Sequence, residues 1–159
     1  MINKLIISLC FTLLLFNSSY AESTHKTDYP TLNFSKIVIP EAPPVASVMV
    51  AYMDIANMSN QKQTISSVSS EQFKRVEIHN MSMENDMMTM ERLASLSINA
   101  GQTIALESNG LHVMLIKPNK PLRKGDKVEL TFKLSSGEQI TVSSHVKLIN
   151  FNNHHHHHH

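Results

Sequence analysis

Tryptophan is absent and cysteine occurs once, as Cys10. That cysteine sits in an apolar stretch, Leu5 to Phe16, preceded by Lys4 and followed by Asn17-Ser18-Ser19-Tyr20-Ala21. A basic start, a short apolar core and small residues before a cleavage point make a secretory signal peptide, residues 1–21, cut near Ala21. The stretch is short for a membrane span, so the mature form is expected to carry no membrane anchor. Leu9 precedes Cys10 where a lipoprotein signal would place a small residue. The mature chain then has no thiol. This excludes disulfide staples, thiolate catalysis and every metal site that needs a cysteine. An excess of charge of one sign is also missing. Loss of Lys4 leaves 13 of the 14 basic residues against 13 acidic ones, which argues against nucleic acid or an anionic membrane as partner.

Six terminal histidines, His154 to His159, read as an expression tag, which leaves His25, His79, His112 and His145. Residues 22–33 are polar, contain Pro30 and lack periodicity, so they are expected to form a flexible leader. Residues 34–150 are expected to be one domain and 151–153 a short tail.

Within that domain period-two alternation recurs. Val128, Leu130, Phe132 and Leu134 alternate with Lys127, Glu129, Thr131 and Lys133, the pattern of a half-buried antiparallel strand. Ile140, Val142, Val146 and Leu148 repeat it after the turn Ser135-Ser136-Gly137-Glu138. Further strands are expected over Phe34 to Ile39, Ala46 to Asn57, Gln63 to Ser69, Phe73 to His79, Met88 to Ala94, Thr103 to Glu107 and Leu111 to Ile116. The four glycines all lie between these runs. About nine short strands with regular turn signals make an all-β sandwich or Greek-key barrel. In Ala46 to Asn57 both faces are apolar, so Met49 and Met53 are read as core.

What the chain has in excess is methionine. Met81, Met83, Met87, Met88 and Met90 fall within ten residues, separated by Ser, Glu, Asn, Asp and Thr. A packed interior would not accept those polar groups unpaired, so the run reads as a polar, sulfur-bearing loop. Alternation puts Arg75, Glu77 and His79 on the polar side of their strand. It puts His112 and Met114 together, opposite Leu111, Val113 and Leu115. Met90 arrives as the chain returns from the loop, so two nitrogens and two sulfurs can converge at one end of the fold. Thioethers are soft and neutral and favour Cu(I) over zinc, magnesium or calcium. A blue-copper centre needs a cysteine thiolate, and no nucleophile, base and orienting acid form a catalytic motif. The chain is therefore expected not to be an enzyme.

The spacing His79, ten residues, Met90, twenty-one residues, His112, one residue, Met114 resembles the H-x10-M-x21-H-x-M signature of the PCuAC copper chaperones, also called the DUF461 family. The similarity extends to Ala51-Tyr52-Met53-Asp54-Ile55-Ala56-Asn57, Val76-Glu77-Ile78-His79, Ile98-Asn99-Ala100-Gly101, Gly110 to Leu115 and Pro121 to Asp126. Asp86-Met87 stands where relatives usually have Gly-Val. The resemblance implies a cupredoxin-like Greek-key β-sandwich of antiparallel strands and a periplasmic location. It also implies one Cu(I) ion held by His79, Met90, His112 and Met114. Delivery toward the CuA centre of cytochrome c oxidase is implied too, with that subunit or other copper chaperones as partners. Met81 and Met83 are the better candidates for auxiliary metal contact, and Met87 and Met88 are open between capture, docking and packing. Nothing in the short tail indicates Cu(II). Two other readings stay open: a copper buffering or resistance protein, and a β-sandwich interaction module without metal. The basic run Lys117, Lys120, Arg123, Lys124 and Lys127 reads as a solvated turn.

Overall fold

The computed structural model describes residues 30–84 and 87–149. The expected signal peptide, most of the leader with His25, the tail and the tag lie outside the described residues. Ten strands and no helix are found among those described. They are β1 (Leu32–Pro40), β2 (Val48–Asn57), β3 (Gln63–Ser69), β4 (Phe73–Glu84), β5 (Met87–Arg92), β6 (Leu96–Ile98), β7 (Thr103–Leu106), β8 (Leu111–Pro118), β9 (Lys127–Leu134) and β10 (Gln139–Lys147). Among the described residues no helix is long and apolar enough to cross a membrane.

The strand order is β5-β4-β8-β2-β1-β10-β9-β3-β6, and β3 also pairs with β4 through Val68 and Val76. That pairing joins the two arms, so β4, β8, β2, β1, β10, β9 and β3 form a closed ring, the all-β Greek-key architecture in its barrel form. All pairings are antiparallel except β1 with β10, where Ile39 meets Val146 and Pro40 meets Lys147 in parallel. Strand β1 starts at Leu32, two residues before the expected Phe34, and its register to β2 shifts between Ser35 and Val38. At this bulge Lys36 takes a left-handed backbone angle, φ 52°, and its ammonium reaches the Asp54 carboxylate at 2.8 Å.

Inward residues of each strand fill one core. Met49, Met53 and Ile55 from β2, Val113 and Leu115 from β8, and Val128, Leu130, Phe132 and Leu134 from β9 are all buried. Phe132 stacks at a tilt on Phe34, with ring centroids 4.5 Å apart. The short β6 exists because Leu96 and Ile98 point inward while Ser97 points out. In the turn between β9 and β10, Gly137 has φ 92°, a conformation that favours glycine.

Only two polar side chains are buried among the described residues, Asn57 and His112. The Asn57 amide nitrogen donates to the carbonyls of Gln61, Ile98 and Asn99 at 2.7, 3.0 and 3.1 Å. Its carbonyl oxygen accepts from the Ser59 backbone N–H and hydroxyl at 3.0 and 2.8 Å. One side chain thus ties the end of β2 to the end of β6. Replacing Asn57 with alanine leaves the buried Ile98 carbonyl without its partner, a loss of about 1–3 kcal/mol, and removes the bonds to the half-buried Gln61 and Asn99 carbonyls. Urea unfolding of Asn57→Ala should show a loss of roughly 3 kcal/mol.

Candidate metal centre

The methionine run is not a loop. Strand β4 continues to Glu84 and β5 returns from Met87, so the segment is a β-hairpin. Its ladder pairs His79 with Arg92, Met81 with Met90, Met83 with Met88 and Glu84 with Met87. On the other side of β4, His79 pairs with His112 and Glu77 with Met114 of β8. Directly paired residues share a face and residues two apart share it too. Hence Glu77, His79 and Met81 of β4, Met90 and Arg92 of β5, and His112 and Met114 of β8 all stand on one outer face. Ile78, Val113 and Leu115 line the other face, in the core. The four expected ligands therefore lie on one face of three adjacent strands, with Met90 diagonal to His79 rather than opposite it.

The two imidazoles form the centre of this face. Their ring centroids are 6.1 Å apart at an interplanar angle of 34°, enough room for an ion about 2.0–2.1 Å from one nitrogen of each ring, the usual imidazole–zinc distance. Each ring has one nitrogen engaged. The Nε2–H of His79 donates to the Glu77 carboxylate at 2.9 Å, and the Nδ1–H of His112 donates to the Gly110 carbonyl at 3.0 Å. These tautomers leave lone pairs on His79 Nδ1 and His112 Nε2. His79 Nδ1 is buried with no hydrogen-bond partner. An orphaned buried acceptor costs free energy unless something binds it, and a metal ion would. The carboxylate and the carbonyl behind the rings are the outer partners that metal-binding histidines normally have.

Alternation puts Glu77 on the same strand face as His79 but assigns it no role, and the structure supplies one. The side chain is 14 % exposed and lies 3.6 Å from Arg92 and 3.9 Å from Arg75. The hydrogen bond from His79, then the charges of Arg92 and Arg75, hold its carboxyl below the usual glutamate range against the opposing effect of burial. The Gly110 carbonyl also accepts the Met81 backbone N–H at 3.0 Å, so one carbonyl fixes both His112 and the hairpin.

Among the described residues no three His, Cys, Asp or Glu side chains converge as a metal site. With the Glu77 carboxylate turned to His79 Nε2 and Arg92, the donors left beside the two imidazoles on this face among the described residues are thioethers. Met114 is half-buried, as is Met81, whereas Met90 is 50 % exposed. Met83 and Met88 lie farther along the same face, both exposed, and Met87 points to the opposite face. Met58 and His145 are exposed elsewhere. In the basic run, Arg123 lies 3.5 Å from Glu41 and Lys127 2.6 Å from Glu129, so part of that charge is neutralised within the fold.

A closed β-barrel domain that sorts two imidazoles and several thioethers onto one outer face is a distinct class of protein. The chain belongs to the family described as "Putative lipoprotein LpqE-like", whose model matches residues 32–146, within the PCuAC (DUF461) group. A relative from Leifsonia xyli subsp. xyli, "Putative lipoprotein Lxx21020", is 27 % identical over 103 residues, covering 64 % of this chain and 62 % of that protein. The chain thus matches less than two thirds of that relative's length. Among solved structures, the copper-bound PCuAC domain from PmoF2 is 16 % identical with a TM-score of 0.63, over 76 % of this chain and 95 % of that one. The Cu(I) form of DR1885 from Deinococcus radiodurans is 25 % identical with a TM-score of 0.62, over 80 % and 85 % respectively.

Proposed function

We propose that this protein is an exported, periplasmic Cu(I) metallochaperone and not an enzyme. It would hold one ion through His79, Met90, His112 and Met114 and deliver it toward the CuA centre of cytochrome c oxidase. The observation that carries this reading is the buried, unpartnered Nδ1 of His79 on a ring whose centroid lies 6.1 Å from that of His112, with thioethers beside them on the same face and the Glu77 carboxylate already engaged by His79 Nε2. Neutral sulfur and nitrogen donors select a soft monovalent ion. Membership of the LpqE-like family and the likeness to the Cu(I) form of DR1885 support the same cargo.

Delivery rather than storage is supported by exposure. With Met90 half open to solvent, an acceptor's ligand can replace its sulfur first and then displace the others stepwise. The test is a Cu(I) titration of protein without the histidine tag, with X-ray absorption at one equivalent. One tight equivalent with mixed nitrogen and sulfur coordination is expected, followed by its transfer to a soluble CuA domain. Purely oxygen and nitrogen coordination would overturn the site, and retention of the ion beside an empty CuA domain would overturn delivery.

A further inference from the structure

Four methionines of the hairpin form a square on one face. Met81 pairs across the strands with Met90, and Met83 with Met88. Side chains so paired have Cβ atoms about 4.5–5.5 Å apart, and successive pairs are roughly 6.8 Å apart along the strands, two residues at about 3.4 Å each. Long flexible thioether arms span such distances to a common ion. On the reverse face the Ser82 and Thr89 hydroxyls join at 2.9 Å, so between the two methionine pairs the oxygens lie on the side away from the square. Packing does not explain the square: Met83 is 68 % exposed, Met88 64 % and Met90 50 %. Among the described residues, most other large hydrophobic side chains are in the closed core, and exposing these sulfurs leaves apolar area in water.

We infer that Met81, Met83, Met88 and Met90 form a second, thioether-only site for a soft monovalent ion, which loads the imidazole site. This rests on the carrier reading, and it adds an entrance that the signature spacing does not contain. Met90 belongs to both sets and Met81 is two residues from His79, so an ion caught between Met83 and Met88 has a continuous series of donors. It would pass to Met81 and Met90 and then to His79, His112 and Met114. Each move makes one metal–donor bond as another breaks; the ion stays Cu(I) and no electron is transferred. Imidazoles added to sulfur make the inner site the tighter one, which gives the movement its direction. Because thioethers carry no proton in the working pH range, the outer site captures its ion without releasing one.

The test is a Cu(I) titration of the tag-free protein under reducing, anaerobic conditions, followed by methionine methyl and histidine ring NMR signals. The first equivalent is expected to shift the rings of His79 and His112 with the methyls of Met90 and Met114. The second is expected to shift Met81, Met83 and Met88 and to move Met90, shared by the two sites, a further step, with Met87, on the reverse face, unmoved. Met83→Leu with Met88→Leu should remove the second equivalent and leave the first. These are exposed, volume-conserving changes that the fold tolerates. Rings that move while Met83 and Met88 stay still overturn the outer site and leave the carrier standing. Movement of Met83 and Met88 without the rings overturns the carrier, and survival of the second equivalent in the double variant overturns the square.

Discussion

His112→Ala combined with Met114→Leu is expected to abolish tight Cu(I) binding, lowering affinity by more than about 100-fold, or about 2.8 kcal/mol at 1.4 kcal/mol per tenfold. His112 is 4 % exposed and stands directly opposite His79 on the neighbouring strand. Its loss leaves His79 as the only imidazole on the face among the described residues. Met114→Leu keeps volume and removes only the sulfur, a change that usually costs under about 1.5 kcal/mol in stability. The Gly110 carbonyl keeps its bond to the Met81 backbone, so the hairpin should stay docked. Competition against a Cu(I) chelator, with far-UV circular dichroism to check folding, reads the result. Unchanged affinity in a folded variant would remove both residues from the site.

Glu77→Ala should weaken Cu(I) binding by about 10–100-fold although Glu77 need not touch the ion, because outer partners of ligating histidines carry effects of that size. The carboxylate fixes the His79 tautomer by accepting its Nε2–H at 2.9 Å and thereby keeps Nδ1 as the free donor. Without it, the ring can rotate or turn its other nitrogen outward. Glu77→Gln retains an acceptor and should recover part of the affinity. The same contacts predict an acid-dependent stability of the metal-free protein. Because His79, Arg92 and Arg75 lower the Glu77 pKa in the folded state, its contribution is complete above the ordinary glutamate value. It disappears as pH falls through the lowered one. Chemical denaturation from neutral to acidic pH should therefore show a shallower decline in Glu77→Gln than in the parent protein. An identical decline in both would show that the carboxylate is not held in this way.

Strand alternation made most of this fold legible. The residues Val128 to Leu134 announce β9 with no ambiguity, and the same period separates His112 and Met114 from the core side of β8. The hairpin was harder to see, because Glu84, Asn85 and Asp86 disfavour strands and methionine is indifferent to them. Yet Met81-Ser82-Met83 and Met88-Thr89-Met90 also alternate, and the ladder of the hairpin shows why: in these six residues the sulfurs take one face and the hydroxyls the other. Strand β6 is only three residues long, too short for a period to register. The parallel β1–β10 pair and the β3–β4 contact that closes the ring are long-range choices with no local mark. At the site, spacing picks out His79, Met90, His112 and Met114 but is silent about Glu77. Its importance depends on a hydrogen bond between neighbours on one strand face, which composition does not record.

The parallel contact of β1 with β10 has a kinetic side. It joins Ile39 to Val146, near the two ends of the described residues, so the ring cannot close until β10 has been synthesised. Non-local pairing of this kind slows folding, typically to milliseconds or longer. A ring that stays open until β10 arrives is well suited to being threaded through a secretion channel before it folds. The face that carries His79 and His112 is the opposite case, since β4, β5 and β8 pair with one another and wait only for the ring around them to close.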